Sequence, residues 1–138
     1  MGLDLGSKTI GIALSDEMGI VAHSVKTISR QSTKKDLEAI ANLVSTHEVQ
    51  RIVVGLPIRM AGTLGTEAKK VLQFVDEMRR SLSVSITTWD ERLSTVQAER
   101  VLLEAGLSRK KRKKVIDKTA ATLILQSYLD AEKRRASS

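Results

Sequence analysis

Cysteine is missing altogether, proline occurs once, and the aromatic residues are three: Phe74, Trp89 and Tyr128. Without thiols there are no disulfides, zinc–thiolate sites or cysteine nucleophiles, which fits a reducing compartment. The lone Pro57 implies few rigid turns and a chain built mostly of regular elements. So few aromatics make a poor stacking platform for single-stranded bases. Any nucleic-acid partner is therefore expected to be gripped by its backbone or as structured RNA. No apolar run approaches the ~18 residues that span a bilayer. The opening Met1-Gly2-Leu3-Asp4 also lacks the basic start of a signal peptide. A cytoplasmic protein with no membrane partner is expected.

Acidic charge is short in one region only. Residues 1–91 hold 11 Lys/Arg and 11 Asp/Glu, whereas residues 92–138 hold 12 and 5, so the whole net charge of +7 sits in the last third. A charge so segregated suggests a polyanion on one side of the molecule. The length of 138 residues predicts a single domain over 1–138 with a core large enough to fold unaided.

The pattern predicts an α/β fold in the order β-β-β-α-β-α-β-α-α. Leu3-Asp4-Leu5 and Ile10–Leu14 flank a turn at Gly6–Thr9 and form a hairpin, and a third strand runs from Ile20 towards Ile28. Ser32 or Thr33 caps a first helix with Leu37, Ile40, Ala41 and Val44 inward. Ile52–Leu56 is continuously apolar, as in a strand buried on both faces. Pro57–Thr66 is a loop, and Glu67–Arg80 a helix with Ala68, Val71, Leu72, Val75 and Met78 inward. Val84–Trp89 is a strand. Ser94 and Gln97 form a capping-box pattern for a third helix that Gly106 ends, and a last helix runs from about Ile116 to Arg134. An antiparallel β1-β2-β3 followed by parallel β4 and β5 gives a mixed five-stranded sheet flanked by about four helices.

Three acids stand where their residue type is disfavoured. Asp4 interrupts a strand between Leu3 and Leu5 and points to the opposite face from both; alternatively it caps the following turn. Asp117 lies on the apolar stripe of the last helix with Ala120, Ala121, Ile124, Leu125 and Tyr128, although near a helix start an Asp also serves the dipole. Asp90 and Glu91 follow the fifth strand, and since neighbours alternate faces only one can join a given cluster. Carboxylates from two strand ends and a helix are hard oxygen ligands suited to Mg²⁺ or Mn²⁺. Two such ions would clamp the attacking and leaving oxygens of a phosphoryl displacement. His23 and His47 are isolated, and no phosphate-loop pattern is present.

Four segments taken together resemble a known family. Gly2-Leu3-Asp4-Leu5-Gly6-Ser7-Lys8-Thr9-Ile10-Gly11 is similar to the opening motif of the YqgF/RuvX family of RNase H-like nucleases. Val54-Gly55-Leu56-Pro57 with Gly62-Thr63, Trp89-Asp90-Glu91-Arg92-Leu93-Ser94-Thr95, and Ile116-Asp117-Lys118-Thr119-Ala120-Ala121 resemble its further motifs in order. The family usually carries a residue or two more before the first strand motif. The resemblance implies an RNase H-like fold and a catalytic, metal-binding set of Asp4, Glu91 and Asp117, with Glu91 chosen over Asp90. It also implies processing of the 5′ end of precursor 16S ribosomal RNA in ribosome biogenesis. A Holliday-junction resolvase, or a non-cleaving RNA or ribosome-assembly binding protein, is the alternative. Asp4-Leu5-Gly6-Ser7 also resembles the first phosphate loop of actin-like ATPases, but the chain is too short to close two domains around a nucleotide.

Arg109, Lys110, Lys111, Arg112, Lys113 and Lys114 form an unbroken basic run just before Asp117. They are expected to be a phosphate-gripping loop that adds affinity without sequence readout. Lys8, Arg59 and Arg92 are further candidate phosphate contacts. Structured or precursor ribosomal RNA is favoured over a DNA junction, ribosome-assembly intermediates are possible partners, and a monomer or weak dimer is expected.

Overall fold

The computed structural model describes residues 1–59 and 62–137, and only the backbone of Val96, Gln97 and Asp117. The elements are β1 (Gly2–Leu5), β2 (Thr9–Ser15), β3 (Ala22–Ser29), α1 (Thr33–Thr46), β4 (Arg51–Leu56), α2 (Thr66–Ser81), β5 (Ser85–Asp90), α3 (Arg92–Glu104) and α4 (Arg109–Ser137). The strands form one sheet in the order β3-β2-β1-β4-β5. β1 and β3 run antiparallel to β2, and β4 lies parallel to both β1 and β5. This is the expected mixed sheet with four helices. Among the described residues no helix is long and apolar enough to cross a membrane.

Strand alternation divides the core into two layers. Leu3, Ile10, Ile12, Ile52 and Val54 pack with Ile40 of α1 and with Val71, Phe74, Val75 and Met78 of α2. Ala13 and Val53 pack on the other face with Ala121, Ile124, Leu125 and Tyr128 of α4. That second face is built of small residues, so α4 comes close to the sheet. A Cβ placed on Gly2 would stand 2.8 Å from both the Ala121 carbonyl and the Leu125 Cβ. Larger side chains on this face would push α4 away from the strand ends. Trp89 closes the layer edge-on against Tyr128, with ring centroids 5.5 Å apart. It donates its indole N–H to Ser127 Oγ at 2.9 Å, as befits a partly buried indole.

Two expectations fail here. The basic run is not a loop: α4 begins at Arg109, so Arg109–Lys114 form its first turns. Lys and Arg are good helix formers whose exposed charges cost a helix little in water. Ser94 does not cap α3. Glu91 is the N-cap residue, and Ser94 is buried inside the first turn. β3 and β5 also start slightly later than expected, and in the Pro57–Thr66 loop Ile58 bridges Leu64, with residues 60–61 lying outside the described set.

Candidate active site

Parallel strands end at the same edge of a sheet, so β1, β4 and β5 deliver their C-terminal residues to one place. Asp4 lies near the end of β1, on the face that carries α4. Its register partner on β2 is Gly11, which leaves the space beside the carboxylate open. Glu91 follows directly on β5, and its backbone is held from both sides. Its N–H donates to Leu56 O of β4 at 3.1 Å. Its carbonyl accepts from the N–H groups of Ser94 and Thr95, each at 3.1 Å, and from their hydroxyls at 2.8 and 3.1 Å. Four donors on one carbonyl fix the residue at the start of α3. The Glu91 side chain then lies over Gly55: a Cβ there would come within 2.9 Å of Glu91 Oε1 and 2.4 Å of Ile124 Cδ1. Only glycine leaves room for the carboxylate in this position.

Asp4 and Glu91 thus line one cleft of about 330 Å³ with Thr9, Ser94, Thr95 and Ile116. Burial pushes the Glu91 carboxyl up to about 7, reinforced by the negative charges of Asp4, Asp90 and Glu67. A carboxyl so placed is destabilised when ionised unless a cation joins it.

Asp90 takes a different part. Strand alternation turns it away from Trp89's face, where Arg92 clasps it with Nε–Oδ2 and Nη2–Oδ2 distances of 3.0 and 2.7 Å. The Arg92 hydrogen bonds hold the Asp90 carboxyl below its usual range. So of the two neighbouring acids it is Glu91 that lines the cleft. Arg92, expected as a phosphate contact, is instead committed to Asp90 and lies near the Arg59 carbonyl. The Arg59 side chain packs over Gly65, where an added Cβ would meet its Nε at 2.6 Å. Lys8 is exposed in the β1–β2 turn.

Asp117 lies more than two turns inside α4, so the expected alternative of a helix-start acid serving the dipole no longer applies. Its side chain lies outside the described residues. Its helix neighbours Ile116 and Ala120 line the Asp4–Glu91 cleft. Among the described residues no group of three His, Cys, Asp or Glu stands close enough to hold a metal, and of the three expected ligands that set includes Asp4 and Glu91. What sequence reading missed is the hydroxyl pair Ser94–Thr95 that anchors Glu91. The capping-box reading assigned Ser94 to the helix end and so hid its bond to the Glu91 carbonyl.

Similarity to known proteins bears on the same residues. A family model described as RuvX, Holliday junction resolvase, matches residues 1–131. A protein of Thermoanaerobacter pseudethanolicus named "Putative pre-16S rRNA nuclease" is 54% identical over 136 residues, covering 98% of each chain. Proteins of the same name from Desulforamulus reducens and Clostridium botulinum are 51% and 53% identical over 131 residues, covering 95% of this chain and 96% of each relative. Among solved structures, Thermus thermophilus RuvC bound to a Holliday junction superposes with a TM-score of 0.58 at 12% identity, over 91% of this chain and 89% of that one. A further structure of Thermus thermophilus RuvC gives 0.55 at 13% identity, over 96% and 94%. Those two likenesses establish the RNase H-like, resolvase-type fold.

Proposed function

Because the chain belongs to the RuvX family, a nuclease family, we propose that it is a metal-dependent endonuclease that trims the 5′ end of precursor 16S ribosomal RNA. One observation carries the metal reading: the half-buried Glu91 lines the same cleft as Asp4 at the C-terminal edge of parallel strands, with its carboxyl pushed up to about 7. Two neighbouring carboxylates that repel one another are a donor set suited to a hard divalent cation. Asp4, Glu91 and Asp117 would hold Mg²⁺ or Mn²⁺, as a two-ion site, which would neutralise charge developing on the phosphodiester.

The chain's own residues supply orientation. The Asp4 backbone is fixed by the β1 ladder, and that of Glu91 by Leu56, Ser94 and Thr95, so the main chain that carries both carboxylates is already in place when substrate arrives. The reaction adds water across one P–O bond and leaves a phosphomonoester end and a hydroxyl end. RNA is favoured over DNA by the name borne by relatives at about half identity. Work in the cytoplasm, on ribosome-assembly intermediates, follows from the same reading.

The test is cleavage of an end-labelled precursor 16S 5′ segment with Mg²⁺ or Mn²⁺, run beside a four-way DNA junction and the Asp4→Asn variant. Metal-dependent cutting of the RNA that vanishes in the variant is the expected result. Cutting of the junction alone would move the substrate to DNA, and undiminished cutting by Asp4→Asn would remove Asp4 from the site.

The helical form of the basic run sharpens its expected role. Arg109, Arg112 and Lys113 precede Ile116 by seven, four and three residues, and so share the stripe of α4 that lines the cleft. Lys110, Lys111 and Lys114 fall off that stripe. Replacing the first three by Gln should therefore weaken RNA binding more than replacing the second three. It should also lower the slope of log affinity against log salt by up to about 2, at ~0.7 per single-strand phosphate contact. Equal losses from both triples, measured by fluorescence anisotropy across a salt series, would make the run an undirected charge cloud.

A further inference from the structure

The cleft that holds Asp4 and Glu91 does not end at Asp4. A second cleft of about 320 Å³ shares Asp4, Thr9 and Ala120 with it and continues towards β3. Its far walls carry Lys26 and Ser24 from β3 and Lys118 and Thr122 from α4. Both lysines are exposed, and neither takes part in a described ion pair. Asp4, at the shared end, is the only acid among the described lining residues. The β2–β3 ladder shifts register beside Ile12 and Ala13, within this stretch, and such bulges re-aim edge side chains next to functional sites. β3 is an edge strand of the sheet, so the second cleft opens at an edge.

A polynucleotide with one phosphate between Asp4 and Glu91 must leave that place in two directions. One way runs past Ser94, Thr95 and Ile116 towards the basic start of α4. The other runs through the second cleft, where the exposed Lys26 and Lys118 and several hydroxyls meet the chain. Phosphate oxygens are bound by just such Lys, Ser and Thr groups. A volume near 320 Å³ is at the low end of ligand clefts, a scale that suits one sugar–phosphate chain.

Resting on the nuclease reading, we infer that this cleft is the exit track for a single-stranded arm of the substrate, with Lys26 and Lys118 gripping the phosphates that flank the scissile one. The substrate is therefore unpaired on the β3 side of the cut. The basic stripe of α4 holds the other side, and Asp4 lies at the junction of the two tracks.

The test reads binding, not cleavage. Fluorescence anisotropy in metal-free buffer would follow a labelled 20-nucleotide single-stranded RNA and a 20-base-pair RNA duplex over a salt series. The proteins compared are wild type, Lys26→Gln/Lys118→Gln, and the charge-matched Lys34→Gln/Lys35→Gln on α1, each checked for folding by its thermal melt. The groove variant should lose about tenfold in affinity for the single strand, with the salt slope reduced by about 1.4 for two lost contacts. The α1 variant should keep the wild-type slope, and the duplex should be little affected. Equal losses in both variants, or wild-type affinity in the groove variant, would overturn the track. An equal loss on the duplex would overturn its single-strand character. Absence of RNA binding by the wild type would instead bring down the RNA-nuclease reading, and the track with it.

Discussion

Exchanging Glu91 for Gln should abolish cleavage and, in metal-free buffer at pH 8, should raise the melting temperature. Both effects follow from one carboxyl. Loss of a group positioned to stabilise transition-state charge is expected to cost on the order of 10³-fold in rate. The stability effect has the opposite sign, because the folded protein holds the Glu91 proton more tightly than the unfolded chain does. The carboxyl ordinarily titrates at 4.5 and is pushed to about 7 by burial and by Asp4, Asp90 and Glu67. Below 4.5 it is protonated in both states and imposes no penalty. Between about 4.5 and 7 the folded state binds more protons than the unfolded one, so stability falls as pH rises, and above 7 the loss is complete. Gln cannot ionise. The variant should melt a few degrees above wild type at pH 8, and the gap should close by pH 4.5. Added Mg²⁺ should then raise the wild-type melting temperature and leave the variant nearly unmoved, since an ion that binds only the folded state stabilises it in proportion to its occupancy. A variant that melts with or below wild type at pH 8 would remove the ionisation penalty assigned to Glu91. One that gains as much from Mg²⁺ would remove it from the ion's ligands.

Removing the Arg30 guanidinium should cost about 3 kcal/mol of folding stability, although Arg30 lies outside the cleft. Asp36, at the start of α1, is 3% exposed. Its Oδ2 lies 3.2 Å from Arg30 Nε, and its Oδ1 accepts the Gln31 N–H at 3.0 Å. The same guanidinium donates to Gly6 O at 3.0 Å and stands 5.1 Å over the Phe74 ring of α2. The Arg30 N–H donates to Lys8 O at 2.9 Å. One side chain thus ties the β1–β2 turn to α1 and α2. Truncating one partner of a largely buried ion pair strands the other charge, which costs roughly 3–5 kcal/mol; the low end applies because Arg30 is itself partly exposed. Urea denaturation of Arg30→Ala is the measurement. Arg30→Ala/Asp36→Asn should recover part of the loss, since the stranded charge is then gone. A loss below about 1 kcal/mol would reduce the pair to an ordinary surface contact.

The order of elements was readable from hydrophobic period because each strand and helix must bury one face or one stripe. Ile52–Leu56 was recognisable as a central strand from its unbroken apolar run, and it indeed lies between β1 and β5. The Asp4 anomaly was readable for the same reason: a carboxylate inside a strand contradicts its local pattern. Ser94 misled because a Ser followed three residues later by Gln matches the local pattern of a cap. The true start, Glu91, is set by the end of β5 and the bond to Leu56 O, which lies 35 residues away in the chain. The basic run misled because like charges in sequence suggest a solvated loop. It is helical because α3 and the sheet hold the rest of α4 in place, and its first turns propagate from there.

By itself the sequence determined the mixed sheet, the segregated positive charge and the odd acids at residues 4, 90–91 and 117, since these depend on composition, on period and on residues that break their local pattern. Only the tertiary structure decided which way those groups are used. It turned Asp90 to Arg92 and set Glu91 against Asp4, it placed Asp117 deep inside a helix instead of at its start, and it joined the Asp4–Glu91 cleft to a second one leading to β3. Those outcomes depend on parallel strand ends meeting at one edge and on glycines that let α4 approach the sheet. Such distances between segments far apart in the chain come from packing, and no local pattern of residues encodes them.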